Sequence, residues 1–298
     1  RLVQVGAGHT FAGLLQSLTV IDVNAALVEK VNAEGLEVQE PDGTSNVFHP
    51  HAVLSTEGME PVDLIIVFVK AMFSEGALNN NKGIIGPDTY IMTLQNGSGH
   101  EDLLGKFVPQ DHIIIGTTQH NASVAGLGVT KHGGSGMTHM GCVVGEAARL
   151  QKFADTFTEC GLEADVSDGV QKMIWNKLFT NVSASALTGA LQVPLGYITS
   201  NEHAWKLCCQ LIREAVDAAA GLGMDFDYDE KVAEVKAVCD KSPNGLTSIY
   251  ADLRDGRRSE VDTISGSVVR AGKKSGVATP SHEFLVELIH AMEGRPKA

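Results

Sequence analysis

Long apolar runs are missing from this chain. None of its 298 residues falls in an unbroken hydrophobic stretch of the roughly 18 residues a membrane-spanning helix needs. Positive charge is scarce as well: 23 Lys and Arg stand against 36 Asp and Glu, a formal net charge of -13. That balance argues against nucleic acid and anionic membranes as partners, since both require a basic face. It leaves room for a small anionic substrate, which needs only one or two local cations. Cysteine is sparse and unpatterned. Cys142, Cys160, Cys208, Cys209 and Cys239 make an odd set with no CxxC pair, which speaks against a disulfide framework and suits a reduced cytoplasm. The histidines show no HExxH or comparable ligand spacing, so no metal is expected. Internal repeats, low-complexity tracts and long linkers are also lacking. What remains is ordinary globular composition, 43% hydrophobic and 20% charged, in a chain long enough for two cores. The opening RLVQVGAG reads as strand and turn rather than signal peptide, so a cytoplasmic protein is expected.

The first half alternates strand-like and helical stretches. Residues 2–5, 18–22, 63–70 and 89–96 are short, β-rich and near-continuously apolar, as parallel strands buried on both faces are. Helical stretches at 25–33 and 74–80 lie between them, which predicts an open, doubly wound Rossmann-like sheet. Segments 113–118, 128–132 and 137–144 look like added strands, followed by a helix over 146–160. Beyond residue 165 the pattern turns helical, with helices expected at 173–191, 203–222, 230–239, 259–275 and 281–292. The α/β class is therefore expected to resolve into a dinucleotide-binding domain over 1–167 and an all-α domain over 168–298.

Gly6-Ala7-Gly8-His9 follows an apolar strand and precedes a helical stretch, the context of a dinucleotide fingerprint. Glycines there allow close approach of a pyrophosphate to backbone N–H groups. Asp22 ends the next strand, where a carboxylate can accept from both ribose hydroxyls of NAD and would repel a 2′-phosphate. The third glycine of the fingerprint is out of place, because Phe11 holds its position and Gly13 lies nearby. The stretch from His9 to Ser17 is also short for a crossover helix.

Lys177, Asn181 and Ser185 fall at i, i+4 and i+8 in WNKLFTNVSASALTGAL, stacking an amine, an amide and a hydroxyl along one helix face. Apolar residues fill the positions between. A lysine in that setting is a candidate proton donor, because desolvation lowers its pKa toward working pH. A solvated helix face is the plainer explanation.

Five segments together change that weighing: VDLIIVFVKA at 62–71, LQNGSGHEDLL at 94–104, GTTQHNASVAGLGVTKHGGSG at 116–136, WNKLFTN at 175–181 and LTSIYADLRDGRRSEVDTISGSVV at 246–269. In this order they resemble the ketopantoate reductase family over nearly the whole chain. The resemblance implies hydride transfer from a nicotinamide cofactor to a 2-keto acid, giving a D-2-hydroxy acid, with ketopantoate as first candidate. It implies that Lys177 is the general acid and that Glu260 anchors the nicotinamide-ribose side. Asn96 would contact cofactor and substrate, Ala122 the carboxamide and Lys70 the adenosine side, while Asn181 and Ser248 would hold the keto acid.

Plainer readings stand beside these roles. Lys70 at a strand end can be a solvated charge, Glu260 near Arg257 and Arg258 can be a surface ion pair, and Asn96 sits in an Asn-Gly turn that favours Asn for its backbone. Asn181 in an apolar helix is harder to dismiss, since a buried amide needs partners. Ser185 departs from the family, which often has Asn there, and Leu195 stands where some members carry a polar contact. These changes favour, as an alternative, an NAD-dependent D-2-hydroxyacid dehydrogenase of mandelate type acting on branched or aromatic 2-keto acids. A non-catalytic NAD(H) sensor is the remote alternative. The family mostly uses NADPH, yet Asp22 and the absence of an arginine or lysine between it and Lys30 favour NAD over NADP. A homodimer is an allowed assembly.

Overall fold

A computed structural model describes residues 2–5 and 18–295. The chain forms two compact units, one of Arg1–Gln95 with His100–Met173, the other of Asn96–Gly99 with Ile174–Ala298.

The first unit is built on an eight-stranded sheet. Its strands are β1 (Leu2–Val5), β2 (Leu18–Ile21), β5 (His51–Val53), β6 (Leu64–Val67), β7 (Tyr90–Thr93), β8 (Ile113–Thr118), β11 (Thr138–Cys142) and β12 (Ala164–Val166). They lie in the order β12-β11-β8-β7-β6-β1-β2-β5, parallel except where β11 meets β8. Ile65, Ile66 and Val67 are entirely buried, which is why the run LIIV shows no alternation. β1 pairs with β2 on one side and β6 on the other, with Val5 level with Ile21 and Val67. The strand order reverses there, so the carboxyl ends of β2 and β6 flank a topological switch point. Helix α1 (Ala25–Glu34) comes after β2 and is capped by Asn24, whose side chain accepts from the Leu27 N–H.

A second sheet in this unit, ordered β4-β3-β10-β9, joins β3 (Leu36–Gln39), β4 (Ser45–Phe48), β9 (Asn121–Gly126) and β10 (Val129–Gly134). Of these only β10 was expected. Helices α2 (Ser74–Asn80), α3 (His100–Leu104) and α4 (Gln151–Glu159) complete the unit.

The second unit is helical: α5 (Val170–Thr180, belonging to it from Ile174), α6 (Ala186–Leu191), α7 (Leu195–Ser200), α8 (Glu202–Gly221), α9 (Tyr228–Lys241), α10 (Ser248–Arg254), α11 (Ser265–Ser275) and α12 (Pro280–Glu293). Its core centres on α8, where Leu211, Ile212, Ala215, Ala218 and Ala219 are buried and small residues admit α11 closely. Buried Glu214 accepts from the N–H groups of Ser281 and His282, satisfying donors that the start of α12 leaves open. Burial pushes the His282 imidazole down to about 4, so its neutral ring donates to the Leu211 carbonyl at 3.0 Å.

Two expected helices are corrected. The run 173–191 is not one α-helix, because a π-helical turn, Asn181–Ser185, separates α5 from α6. The expected helix over 259–275 begins only at Ser265; Glu260 lies in the turn before it, not in a helix.

Candidate active site

In the first unit a cavity of about 430 Å³ opens at the carboxyl ends of β2 and β6, with Asp22, Val23, Ser55, Val69, Lys70 and Phe73 among its walls. Asp22 is set by its own turn. Its N–H donates to the Val53 carbonyl at 3.2 Å, and its Oδ1 accepts the Asn24 N–H at 2.9 Å. The approach to Lys70 is fixed by Gln95, whose Nε2 donates to the Val69 carbonyl and to Ser74 Oγ. Asp22 and Lys70 thus share one cavity. Ala122 does not line it; it sits exposed on β9 opposite His132. Gly6, Ala7, Gly8 and His9 lie outside the described residues.

In the second unit, four segments come together as two pairs. The loop Asn96–Gly99 rests on the turn that carries Glu260. Gly97 has φ 102°, and a Cβ there would lie 2.1 Å from the Thr263 carbonyl oxygen, so only glycine allows this approach. Ser98 N–H donates to that oxygen at 3.0 Å. Arg270 donates to the Ser98 carbonyl at 3.1 Å and to the Asp262 carbonyl at 2.8 Å, riveting loop to turn. The Glu260 carbonyl accepts from the N–H groups of Thr263 and Ile264 at 3.1 and 3.0 Å, which closes the turn. Asn96 is therefore delivered beside the Glu260 segment.

Lys177 lies in the last turn of α5, with Asn181 opening the π turn and Ser185 ending it. A four-residue step overshoots an α turn by about 40°, but falls short of the wider i→i+5 turn. The drift from Lys177 to Asn181 is thus partly reversed on the way to Ser185, and the polar stripe survives the break. Local hydroxyls favour the widening. Ser183 Oγ donates to the Phe179 carbonyl at 2.6 Å, and Thr188 Oγ1 to the Ser185 carbonyl at 2.9 Å. Thr247 reaches the same place, 2.8 Å from Thr188 Oγ1 and 3.3 Å from the Ser185 carbonyl, while its oxygen caps α10 by accepting from Tyr250 N–H. Ser248, the first residue of α10, is thereby held near Ser185, and Gly189 is pressed against Ile249.

Lys177 is exposed by area, yet burial lowers its pKa from the ordinary lysine value. A side chain can touch water and still be ringed by protein, and desolvation then disfavours the ammonium. Leu195 is buried in the helical core. Thr247, Thr263 and Arg270 escaped sequence reasoning. The Thr-Ser pair before a helical stretch is a legible N-cap signal for Thr247; Thr263 and Arg270 act through partners far away in sequence, and nothing local marks them.

A carboxylate-bearing crevice at the switch point of a parallel sheet is where dinucleotides bind in this architecture, and Asp22 with apolar walls at Val23 and Phe73 fits a nucleoside. The class is a nicotinamide-dependent oxidoreductase. Within that class, the sequence matches ketopantoate reductase PanE/ApbA over residues 6–145 and the C-terminal region of the same enzymes over 169–293; the chain belongs to the ketopantoate reductase family. It is 32% identical over 287 residues to the 2-dehydropantoate 2-reductase of Lactococcus lactis, covering 94% of this chain and 92% of that one. The Halobacterium salinarum 2-dehydropantoate 2-reductase is 28% identical, over 95% and 93% of the two chains. Among solved structures, a ternary complex of D-mandelate dehydrogenase with NADH and anilino(oxo)acetate is similar, with TM-score 0.86, 31% identity and 98% of each chain covered.

Proposed function

We propose that the protein reduces a 2-keto acid to a D-2-hydroxy acid with NADH, Lys177 being the general acid. The observation that carries this is a desolvated lysine at the head of a polar stripe that runs through a π turn toward the segment bearing Ser248. The nicotinamide cofactor supplies a hydride when bound. Asp22 accepts from the adenosine ribose hydroxyls, with Lys70 on the same cavity wall, and residues 6–9 and Ala122 serve the pyrophosphate and carboxamide. Asn96 and Glu260 orient the nicotinamide-ribose side. Asn181 and Ser248 donate to the keto acid, fixing its carboxylate. Lys177 Nζ donates to the carbonyl oxygen, stabilises the negative charge that develops there and delivers its proton.

Ketopantoate is the first substrate to try. A second reading, an aromatic or branched 2-keto acid, is favoured by the likeness to D-mandelate dehydrogenase and by the short side chain of Ser185. Rates with NADH and NADPH against 2-keto acids of graded bulk, ketopantoate and benzoylformate included, test both. Failure of every keto acid to oxidise either cofactor overturns the assignment; preference for benzoylformate selects the second reading. We place the enzyme in the cytoplasm as a homodimer, which sedimentation would check.

A further inference from the structure

One imidazole grips the Glu260 turn from both sides. His290, in α12, bonds Asp262 Oδ1 through Nε2 and Glu293 Oε2 through Nδ1, each at 3.0 Å. The other Glu293 oxygen accepts from the N–H and Oγ–H of Ser259 at 2.8 and 2.7 Å. Ser259 immediately precedes Glu260 and Asp262 lies two residues beyond it, so both flanks of the glutamate are tied to α12 through this ring. An imidazole donates to two carboxylates at once only when both nitrogens carry protons. The Glu293 side chain is 8% exposed and Asp262 55%, so the bridge is partly withdrawn from water.

We infer that His290 is a positioning residue whose imidazolium, bridging Asp262 and Glu293, sets the turn 259–262 so that Glu260 is presented to the nicotinamide coenzyme. The inference rests on the reading of Glu260 proposed above. The ionisable groups around the bridge are consistent with it. Asp262 comes from the turn and Glu293 from α12 itself. From α11, Arg270 donates to the Asp262 carbonyl, and Lys273 and Lys274 lie in its last turn. From α8, Glu214 is engaged at the opposite end of α12 by Ser281 and His282. α6 contributes no ionisable residue.

Burial works to lower the His290 pKa, but the bonds to Glu293 and Asp262 outweigh it and the net shift is upward. Burial likewise works to raise Glu293, while Ser259 and His290 bring its carboxyl below the ordinary value. A raised imidazole keeps its bridge intact below the unperturbed value of about 6.5 and loses it as pH climbs through the folded value.

The test is NADH binding to the whole protein, read by NADH fluorescence across pH with no keto acid present. In the wild type, affinity should fall as pH rises above neutral. His290→Leu should bind about tenfold more weakly near neutral pH, the loss of a charge-assisted bond, and lack that pH step. His290→Arg, a permanent cation able to bond two carboxylates, should keep the affinity and extend it to alkaline pH. Asp262→Asn keeps an acceptor for Nε2 but removes its charge at constant size, should weaken binding less and move the pH step lower, and decides the matter should His290→Leu not fold. Unchanged NADH affinity in Glu260→Gln would sink the reading of Glu260 itself. If instead Glu260→Gln weakens binding while His290→Leu or Asp262→Asn keeps wild-type affinity and pH step, the role of His290 is overturned. An arginine variant as weak as the leucine one overturns it too.

Discussion

The cavity of the first unit and the polar stripe of the second are made by different means. The cavity arises from topology: parallel strands whose order reverses beside β1 leave a crevice at their carboxyl ends, and side chains only decorate it. The stripe arises from side-chain chemistry. Remove the hydroxyls of Ser183, Thr188 and Thr247 from the helical unit and nothing in its connectivity demands a π turn or a neighbour for Ser185. Substitutions in the cavity should therefore retune which nucleotide binds, while substitutions along the stripe should strike the chemistry.

The largest effect should come from Lys177→Ala. General acid assistance contributes roughly 10²–10⁴ in rate, so kcat/KM for keto-acid reduction should fall by that order while NADH affinity stays near wild type. A loss under tenfold would dissolve the contrast between the two regions, and lost NADH affinity would move Lys177 to the binding side. The pH profile sharpens the point. Reduction needs the protonated amine, so kcat/KM should decline as pH rises through a pKa below the ordinary lysine value, and oxidation of the hydroxy acid should rise over the same range. A profile flat until the region of an unperturbed lysine, about 10.4, would contradict the desolvated acid.

Next come Asn181→Ala and Ser248→Ala, each removing a bond to a charged group worth roughly 1.5–3 kcal/mol. The keto-acid KM should rise by ten- to hundredfold with cofactor constants unmoved; the reverse pattern would misplace this face. On the cavity side, a carboxylate set against a phosphate should favour NADH over NADPH by about 1.4–2.8 kcal/mol, ten- to hundredfold in kcat/KM. To switch the preference, Asp22→Ala is best paired with Val23→Arg. Val23 is 92% exposed on the cavity wall, whereas Asn24 caps α1 and its loss would cost about 1 kcal/mol of stability. A wild type preferring NADPH would mean that Lys70 takes the phosphate. The smallest effect, about 1 kcal/mol of unfolding free energy by denaturant titration, is expected for Thr247→Val, which strips the α10 cap.

The same contrast governs what could be read ahead of the structure. The buried strands around β1 announce themselves by composition, and the polar stripe by its spacing. Strands β4 and β9 do not, because SNVF and NASVAG are largely exposed and carry no alternation. The false helical start at Ser259 has a long-range cause. Ser259 N–H is taken by Glu293 and the Thr263 carbonyl by Ser98, so partners thirty-four residues downstream and far upstream hold the segment in a turn. Helices α7 and α10 are short and begin just after Pro194 and Thr247, signals that are plain once the helix is known. The site was legible as residue types in order; which of them touch was not, since Arg270 and Thr263 mark nothing locally.

A π turn is an α-helix holding one residue more than its winding accommodates, and the widened turn absorbs the excess so that the helix on its amino side and the helix on its carboxyl side stay in phase. Excising a residue from 181–185 would let the helix rewind as α with 186–191 facing nearly as before, whereas adding one would rotate 186–191 by about 100°. Gly189 would swing off Ile249, where a Cβ would already come within 2.3 Å, and Thr188 would leave Thr247. In this stretch the number of residues is itself under constraint. A side-chain exchange leaves that phase intact, but a single further insertion would put Lys177 and Ser185 on different meridians of the same rod.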